Sequence, residues 1–199
     1  MLKIITMVLL STGHFSNQNR VIPKIQHKDT TISLFNSSRY QLTLHFFNEE
    51  IKDEEVNNTI ITFQRMDHGK SVILFRDSLF CMYPEISLQD FNNDGINDIM
   101  IFYSTGARAN LTYHLYITNP KNHTLNRVND FEKLTNPALD RENNIIVSVG
   151  LAGSNYYSFY RITSKYKLLN LGHSFEETRS DTTQFERAIH AILKGAKRY

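Results

Sequence analysis

The chain has 199 residues, 41% of them hydrophobic and 21% charged, and a formal net charge of +2 at pH 7. This is the composition of a globular protein long enough to bury one sizeable core. The small net charge argues against a nucleic-acid-binding surface and against general attraction to anionic membrane. A single cysteine, Cys81, leaves no internal disulfide or cysteine-based zinc site. Its neighbours Phe80 and Met82 are apolar, which favours an inert buried thiol over a catalytic one.

The first residues resemble a short secretory signal. Lys3 precedes the apolar run of residues 4–10, and small residues follow at 11–13 as a cleavage site. We therefore expect residues 1–16 to be a signal peptide, and residues 17–199 to form one β-rich domain in the periplasm or outside the cell. The alternative is that the apolar run is a buried first strand. No other run is long enough to span a membrane.

Most of the chain after the N-terminus reads as short strands separated by turns. Residues 40–46, for example, alternate apolar and polar side chains with a period of two. Residues 36–39 are expected to be a polar turn, and residues 67–70 a hairpin turn with Gly69 at the position of positive φ. The acidic residues 49–58 are interpreted as a solvated loop. The predicted strands span residues 30–35, 40–46, 59–64, 71–75, 98–103, 112–117, 124–128, 145–149, 156–163 and 166–171.

The end of the chain changes from strand to helix pattern. Asp181 is a candidate N-cap for a helix near residues 182–194, and Gly195 is expected to end it. The apolar residues of this segment share one helix face, so the helix should pack on a sheet. A helix lying on a membrane is the alternative, but its polar face is not strongly basic. We predict a mostly-β fold of antiparallel sheets, propeller-like or sandwich-like, with a C-terminal α-helix whose apolar stripe is Phe185, Ala188, Ile189, Ile192 and Leu193.

Residues 90–98 form the most chemically specific motif, D-x-N-x-D-G-x-N-D. Oxygen-bearing side chains at alternate positions converge when the backbone curls, and Gly95 permits the tight bend. Hard oxygen donors in this order suit calcium, which takes about six to eight oxygens. The motif predicts a calcium site, with ligands from the side chains of Asp90, Asn92, Asp94 and Asp98 and from the backbone carbonyl of Ile96.

The calcium motif is not that of an EF-hand. An EF-hand requires a bidentate Glu at its twelfth position, where this chain has Ile101. The residues after the motif are apolar and β-branched, so the loop leads into a strand instead of a helix. The alternative interpretation is a turn rich in Asn, Asp and Gly that binds no ion. A closed loop of this kind offers no open coordination position for a substrate, so the predicted role of calcium is structural.

From about residue 88 to residue 171, the order of features resembles a family of periplasmic immunity or inhibitor proteins of Gram-negative bacteria. That family neutralises peptidoglycan-hydrolase effectors of a killing type IV secretion system. It is β-rich, carries one D-x-N-x-D-G calcium loop, and is related in fold to inhibitors of invertebrate-type lysozymes. The matching residues are 90–98, Gly106, Asn110, Tyr113, Tyr116, Ile117, residues 134–137, Asp140 and residues 145–148.

The same resemblance points to a second site. The lysozyme inhibitors use an S-G-x-x-Y loop that enters the hydrolase cleft, and residues 152–156 read A-G-S-N-Y. Ala152 replaces the family's Ser and removes a hydroxyl, for which Ser154 is a candidate substitute. The resemblance implies that Gly153, Ser154, Asn155 and Tyr156 bind the partner, a peptidoglycan hydrolase or lysozyme-like effector. Tyr157 and Tyr160 are expected to pack within the sheet instead.

The sequence leaves two other function classes open. A non-catalytic adhesion or carbohydrate-binding module of the FG-GAP type shares this calcium loop, but it would carry repeats, and only one complete loop is present. An enzyme is less favoured, because the chain contains no G-x-S-x-G, H-E-x-x-H or phosphate-binding glycine loop. The sequence thus predicts a calcium-binding inhibitor without catalytic residues.

Overall fold

The computed structural model describes residues 28–47, 53–178, 181 and 183–196. The predicted signal peptide lies outside the described residues. The elements, in chain order, are β1 (Lys28–Leu34), β2 (Ser37–Phe46), β3 (Thr59–Asp67), β4 (Lys70–Leu79), β5 (Ile86–Gln89), β6 (Asp98–Gly106), a 3₁₀ turn (Ala107–Ala109), β7 (Asn110–Asn119), β8 (Thr124–Val128), a second 3₁₀ turn (Phe131–Lys133), β9 (Ala138–Asp140), β10 (Ile145–Gly150), β11 (Tyr156–Ile162), β12 (Leu168–Glu176) and α1 (Gln184–Ala196).

Within each group of four consecutive strands, neighbouring strands pair antiparallel. The result is three four-stranded meanders: sheet 1 from β1 to β4, sheet 2 from β5 to β8, and sheet 3 from β9 to β12. The predicted mostly-β fold with antiparallel sheets and a C-terminal helix is confirmed. The predicted β3–β4 turn is also present, with positive φ at His68 and Gly69, as a two-residue hairpin loop requires.

Sheet 2 is covered on both faces, which explains the continuous apolar run in β6. Ile99 and Ile101 pack with side chains of sheet 1, whereas Met100, between them, packs with side chains of sheet 3. Successive residues of a strand point to opposite faces, so a strand between two sheets needs apolar side chains at consecutive positions. The three sheets are therefore layered, with sheet 2 in the middle.

The helix α1 covers the other face of sheet 3. Ile189 and Ile192 are buried against Ile145, Val147 and Phe159, and the other residues of the predicted apolar stripe pack around them. Asp181 lies before the N-cap position predicted for it: its carboxylate accepts the Thr183 backbone N–H at 3.0 Å, and the Thr183 carbonyl accepts the first helical hydrogen bond, from the Arg187 N–H. Within the described residues, no helix combines the length and the apolar character needed to cross a membrane.

The structure corrects several predicted boundaries. The turn predicted at residues 36–39 is instead Phe35 and Asn36, both with positive φ, and β2 already begins at Ser37. Burial of the Phe35 ring against Tyr40, with ring centroids 5.6 Å apart, offsets the unfavourable backbone conformation. Gly195 lies within α1 and does not end it before Ala196. The short strands β5 and β9 were not predicted, because three or four residues carry little periodicity.

Cys81 is buried, as its apolar neighbours predicted. Burial raises the pKa of its thiol to about 12, so the thiolate needed for nucleophilic chemistry is scarce at neutral pH. The surrounding polar groups are also occupied: the Asn58 side-chain amide donates to the Cys81 carbonyl at 2.9 Å and accepts the Cys81 N–H at 2.9 Å. Cys81 is therefore a core residue.

Candidate functional site

The predicted calcium loop connects β5 to β6. Asp90 and Asp98, at its two ends, are buried, whereas Asp94 is exposed at its tip. Gly95 has a φ of +83° and open space where a side chain would be, which agrees with the bend predicted there. The loop thus has the curled backbone that the motif predicted, and its position is set by the strands on either side.

The carboxylate of Asp90 organises the backbone of the loop. One oxygen accepts the Asn93 N–H at 2.7 Å and the Asp94 N–H at 3.3 Å, and the other accepts the Gly95 N–H at 3.0 Å. The Arg141 guanidinium, from the turn between β9 and β10, lies 3.5 Å from the same carboxylate. The loop therefore closes around Asp90.

Asp98 joins the loop to the neighbouring strand β7. Its two oxygens accept the backbone N–H groups of Phe91 at 2.9 Å and Thr118 at 3.0 Å. Burial is the main cause that raises the pKa of the Asp98 carboxyl to about 6, and the negative charges of Asp94 and Asp90 add to the rise. These three carboxylates thus repel one another in the absence of a cation.

The other three residues predicted to bind calcium lie close together, but they are hydrogen-bonded to one another. Asn92, Asp94 and Ile96 line one cavity of about 330 Å³. The Asn92 side-chain amide donates to Asp94 at 2.9 Å, and the other Asp94 oxygen accepts the Ile96 N–H at 2.9 Å. No group of three or more Asp, Glu, His or Cys side chains in the described part of the chain is placed to hold a metal ion. The loop fits calcium in donor type, order and charge, but its carboxylates do not converge on one point.

The predicted partner-binding residues form the loop of residues 151–155, between β10 and β11, and the first residue of β11. Tyr156 is 49% exposed, and Gly153 is exposed with open space around it. The Asn155 side chain donates to the Glu177 carboxylate at 2.7 Å, and the Asn155 carbonyl accepts the Glu177 N–H at 2.7 Å. The loop is thus held against the end of β12, while Tyr156 remains accessible.

Ser154 does not present a free hydroxyl. In this structure the hydroxyl donates to the carboxylate of Glu176, the last residue of β12. The missing serine hydroxyl at position 152 is therefore not replaced by Ser154 in this conformation. Among the tyrosines, the Tyr157 ring stacks on Phe175 with centroids 4.9 Å apart, and Tyr160 packs between sheets 2 and 3, as expected for sheet residues.

An open cavity of about 490 Å³ lies beside the 151–155 loop. The end of β12 and the beginning of α1 form its other walls. Its wall residues combine aromatic rings with amide and carboxylate groups, and include Gly153, Asn155, Tyr157, Phe175, Glu177 and Phe185. Such a mixed concave surface next to an exposed tyrosine is suited to binding another molecule.

Two asparagines, which the family resemblance includes without giving them a role, join the 151–155 loop to the rest of the protein. Asn110 donates to the Leu151 carbonyl at 2.9 Å and accepts the Leu151 N–H at 2.7 Å. Asn136 donates to Asn110 at 3.2 Å and to the Val149 carbonyl at 3.0 Å. Sequence reasoning could not find these contacts, because no local pattern relates residue 110 to residue 151.

A buried polar cluster around His114 was also not predicted. The His114 ring nitrogen Nε2 lies 2.9 Å from the Phe80 carbonyl, so it carries the proton, and Nδ1 accepts from Arg127 at 3.3 Å. Arg127 also pairs with Asp77 at 3.2 Å, and Asp77 accepts the Tyr116 hydroxyl at 2.8 Å. Burial, with a further contribution from the Arg127 charge, lowers the pKa of His114.

The lowered pKa of His114 predicts a pH-dependent stability. The folded state disfavours the imidazolium, so the contribution of His114 is present above its ordinary pKa of about 6.5 and is lost as the pH falls through the folded pKa. Urea unfolding between pH 7.5 and 4.5 should show a steeper loss of stability in the wild type than in His114→Gln. His68→Asn, at the exposed β3–β4 turn, is the control and should follow the wild type; equal slopes for all three would contradict the prediction.

Comparison with family models, with curated proteins and with solved structures gives no match for this chain. The chemistry of the two loops is therefore the basis for assigning a function.

Proposed function

We propose that this protein is a secreted or periplasmic, calcium-stabilised binding protein that inhibits a peptidoglycan hydrolase without catalysis of its own. The observation that carries the proposal is the accessible Tyr156 beside the glycine-containing 151–155 loop, which other residues hold in place. The resemblance to lysozyme inhibitors identified from residues 152–156 supplies the class of partner. The calcium motif at residues 90–98 agrees with a location where free calcium is plentiful.

Inhibition would occur by insertion of the loop into the hydrolase cleft. Gly153 has no side chain to obstruct a close approach, and Tyr156 offers an apolar ring and a hydroxyl to the walls of the cleft. Muramidases use two carboxylates on either side of the scissile bond, so a tyrosine placed there excludes substrate and contacts the catalytic groups. Because hydrogen bonds to Glu177 and Asn110 already order the loop, little conformational entropy is lost on binding.

Calcium would be held by Asp90, Asn92, Asp94, the Ile96 carbonyl and Asp98. Three of these residues already share one cavity wall, and the charge repulsion at Asp98 would be relieved by a bound cation. Binding requires the Asn92–Asp94 hydrogen bond to open, so that both side chains turn toward the ion. The ion would supply stability to the β5–β6 connection and take no part in inhibition.

The first test is clearing of a peptidoglycan suspension by chicken-type, goose-type and invertebrate-type lysozymes, with and without the purified protein in calcium. Against an inhibited enzyme, Tyr156→Ala should weaken inhibition about tenfold or more, as expected for loss of a central aromatic contact. Its melting temperature should stay near that of the wild type because Tyr156 is exposed.

Tyr83→Ala is the control variant for this test, because Tyr83 is 60% exposed but lies before β5, outside the 151–155 loop. It should inhibit like the wild type. Unchanged inhibition by Tyr156→Ala would place the contact on another loop. If none of the three lysozymes were inhibited, and no hydrolase were retained from the envelope proteins of the source cells, the proposal would be rejected.

A second candidate function is a non-catalytic adhesion or carbohydrate-binding module of the FG-GAP type. The layering of three consecutive four-stranded meanders favours it, because propeller-type modules are built from such units. It predicts retention of sugars or surface proteins, with no hydrolase, when the protein is used as bait in calcium. The same pull-down therefore separates the two functions.

A further inference from the structure

The turn of residues 107–109, between β6 and β7, has a left-handed backbone, as the turn at Phe35 and Asn36 also has. Arg108 has φ 60° and ψ 34°, and Ala109 follows with φ 56°, so two consecutive residues with side chains adopt the left-handed conformation. This conformation is unfavourable for residues other than glycine, so the surrounding contacts must hold it in place.

One side chain joins this turn to the 151–155 loop. The Asn110 amide donates to the Ala107 carbonyl at 2.8 Å as well as to the Leu151 carbonyl at 2.9 Å. Asn110 is held in turn by Asn136, which is fixed by the Leu111 N–H at 3.0 Å. The turn and the loop therefore form one continuous edge of the molecule, at the ends of sheets 2 and 3.

Arg108 presents its charge at this edge. It is exposed, and no described residue forms a hydrogen bond or ion pair with its guanidinium. The acidic residues at the end of β12 are hydrogen-bonded to the 151–155 loop, because Glu176 accepts from Ser154 and Glu177 from Asn155. A guanidinium held out on a strained turn is suited to a planar, bidentate contact with a carboxylate of another molecule.

We infer that the Ala107–Ala109 turn is the second half of the partner-binding surface, and that Arg108 pairs with a carboxylate of the hydrolase beside the one approached by Tyr156. This inference rests on the proposed function. The charges are complementary, because a cleft with two catalytic carboxylates is negative and the Arg108 guanidinium is positive, whereas the Tyr156 hydroxyl is neutral.

Site-specific photo-crosslinking tests whether the partner lies against both the turn and the loop. A photoreactive phenylalanine analogue replaces Arg108, Tyr156 or, as control, Tyr83, and each protein is irradiated with envelope and secreted proteins of the source cells in calcium. We expect mass spectrometry to identify one hydrolase crosslinked from positions 108 and 156 and absent from position 83.

The outcomes separate the two proposals. A hydrolase crosslinked from position 156 but not from 108 overturns the role of the turn and leaves the proposed function intact. A protein other than a hydrolase at both positions overturns the proposed function and the pairing with catalytic carboxylates. No product from either position overturns both.

Charge variants then test the role of Arg108 with the captured enzyme. Arg108→Glu should weaken inhibition roughly tenfold or more, because a carboxylate would face a carboxylate, whereas Arg108→Lys keeps the charge and should lose less. Increasing salt should reduce the difference between wild type and Arg108→Glu. The control is Arg76→Glu, which reverses the same charge on β4 of sheet 1 and should inhibit like the wild type. If Arg108→Glu also inhibited like the wild type, the inference would be contradicted.

Discussion

Calcium is expected to raise the melting temperature of the wild-type protein by several degrees, and Asp94→Ala is expected to abolish that increase. At a calcium concentration about a hundred times Kd, the gain in unfolding free energy is about 2.7 kcal/mol. For a domain of this size, that corresponds to a shift of roughly 5–10 °C. The measurement is thermal unfolding by circular dichroism in calcium and in chelator.

Asp94 is the best position for this test because it is exposed and contributes little to the loop without an ion. Among the described residues, its carboxylate accepts from Asn92 and from the Ile96 N–H alone, whereas Asp98 is fixed by two buried backbone groups. In chelator, Asp94→Ala should therefore melt close to the wild type. Removal of Asp98 would instead leave buried N–H groups unpaired in either condition.

Asp53→Ala is a matched control, because the exposed Asp53 carboxylate also accepts a backbone N–H two residues later, from Glu55 at 3.0 Å. It lies outside the 90–98 loop, so it should leave the calcium response intact. An equal loss of stability for Asp94→Ala in calcium and in chelator would mean that the loop is a turn that binds no ion.

The second large effect is expected for Phe159→Ala. Phe159 is 0% exposed and lies between sheet 3 and α1, with ring centroids 5.7 Å from Phe185 and 6.2 Å from Phe175. Removing such a ring costs about 3–5 kcal/mol through lost burial and the cavity left behind. The melting temperature should fall by roughly 10 °C or more.

Hydrogen exchange shows where the stability is lost. Phe159 is part of the sheet 3 surface on which α1 packs. The backbone amides of Gln184–Ala196 should therefore lose more protection from hydrogen exchange than the amides of sheet 1. Tyr156→Ala, three residues earlier on the same strand, is the control and should change neither quantity, since its side chain is exposed. An equal loss of protection in α1 and in sheet 1 would contradict this local effect.

Local patterns in the sequence were enough to predict most of the strands and the helix. The apolar residues alternate with a period of two in residues 40–46, and they share one helix face from Phe185 to Leu193. In each case the spacing of the apolar residues shows which face is buried, because side chains on one face repeat with the period of the strand or of the helix. The short strands β5 and β9 escaped prediction, because pairing with β6 and β10 stabilises them more than their own residues do.

The sequence by itself determined the mostly-β class, the C-terminal helix and the curled loop at residues 90–98, because alternation, helical spacing and the Gly95 bend act over a few neighbouring residues. Only the tertiary structure decided the layering of the sheets and the partners of the site residues. Asp98 is hydrogen-bonded to Thr118, which is 20 residues away in the sequence. Ser154 is hydrogen-bonded to Glu176 over a separation of 22 residues, and Asn110 to Leu151 over a separation of 41 residues. Contacts over such distances depend on how the sheets pack, which no local pattern encodes.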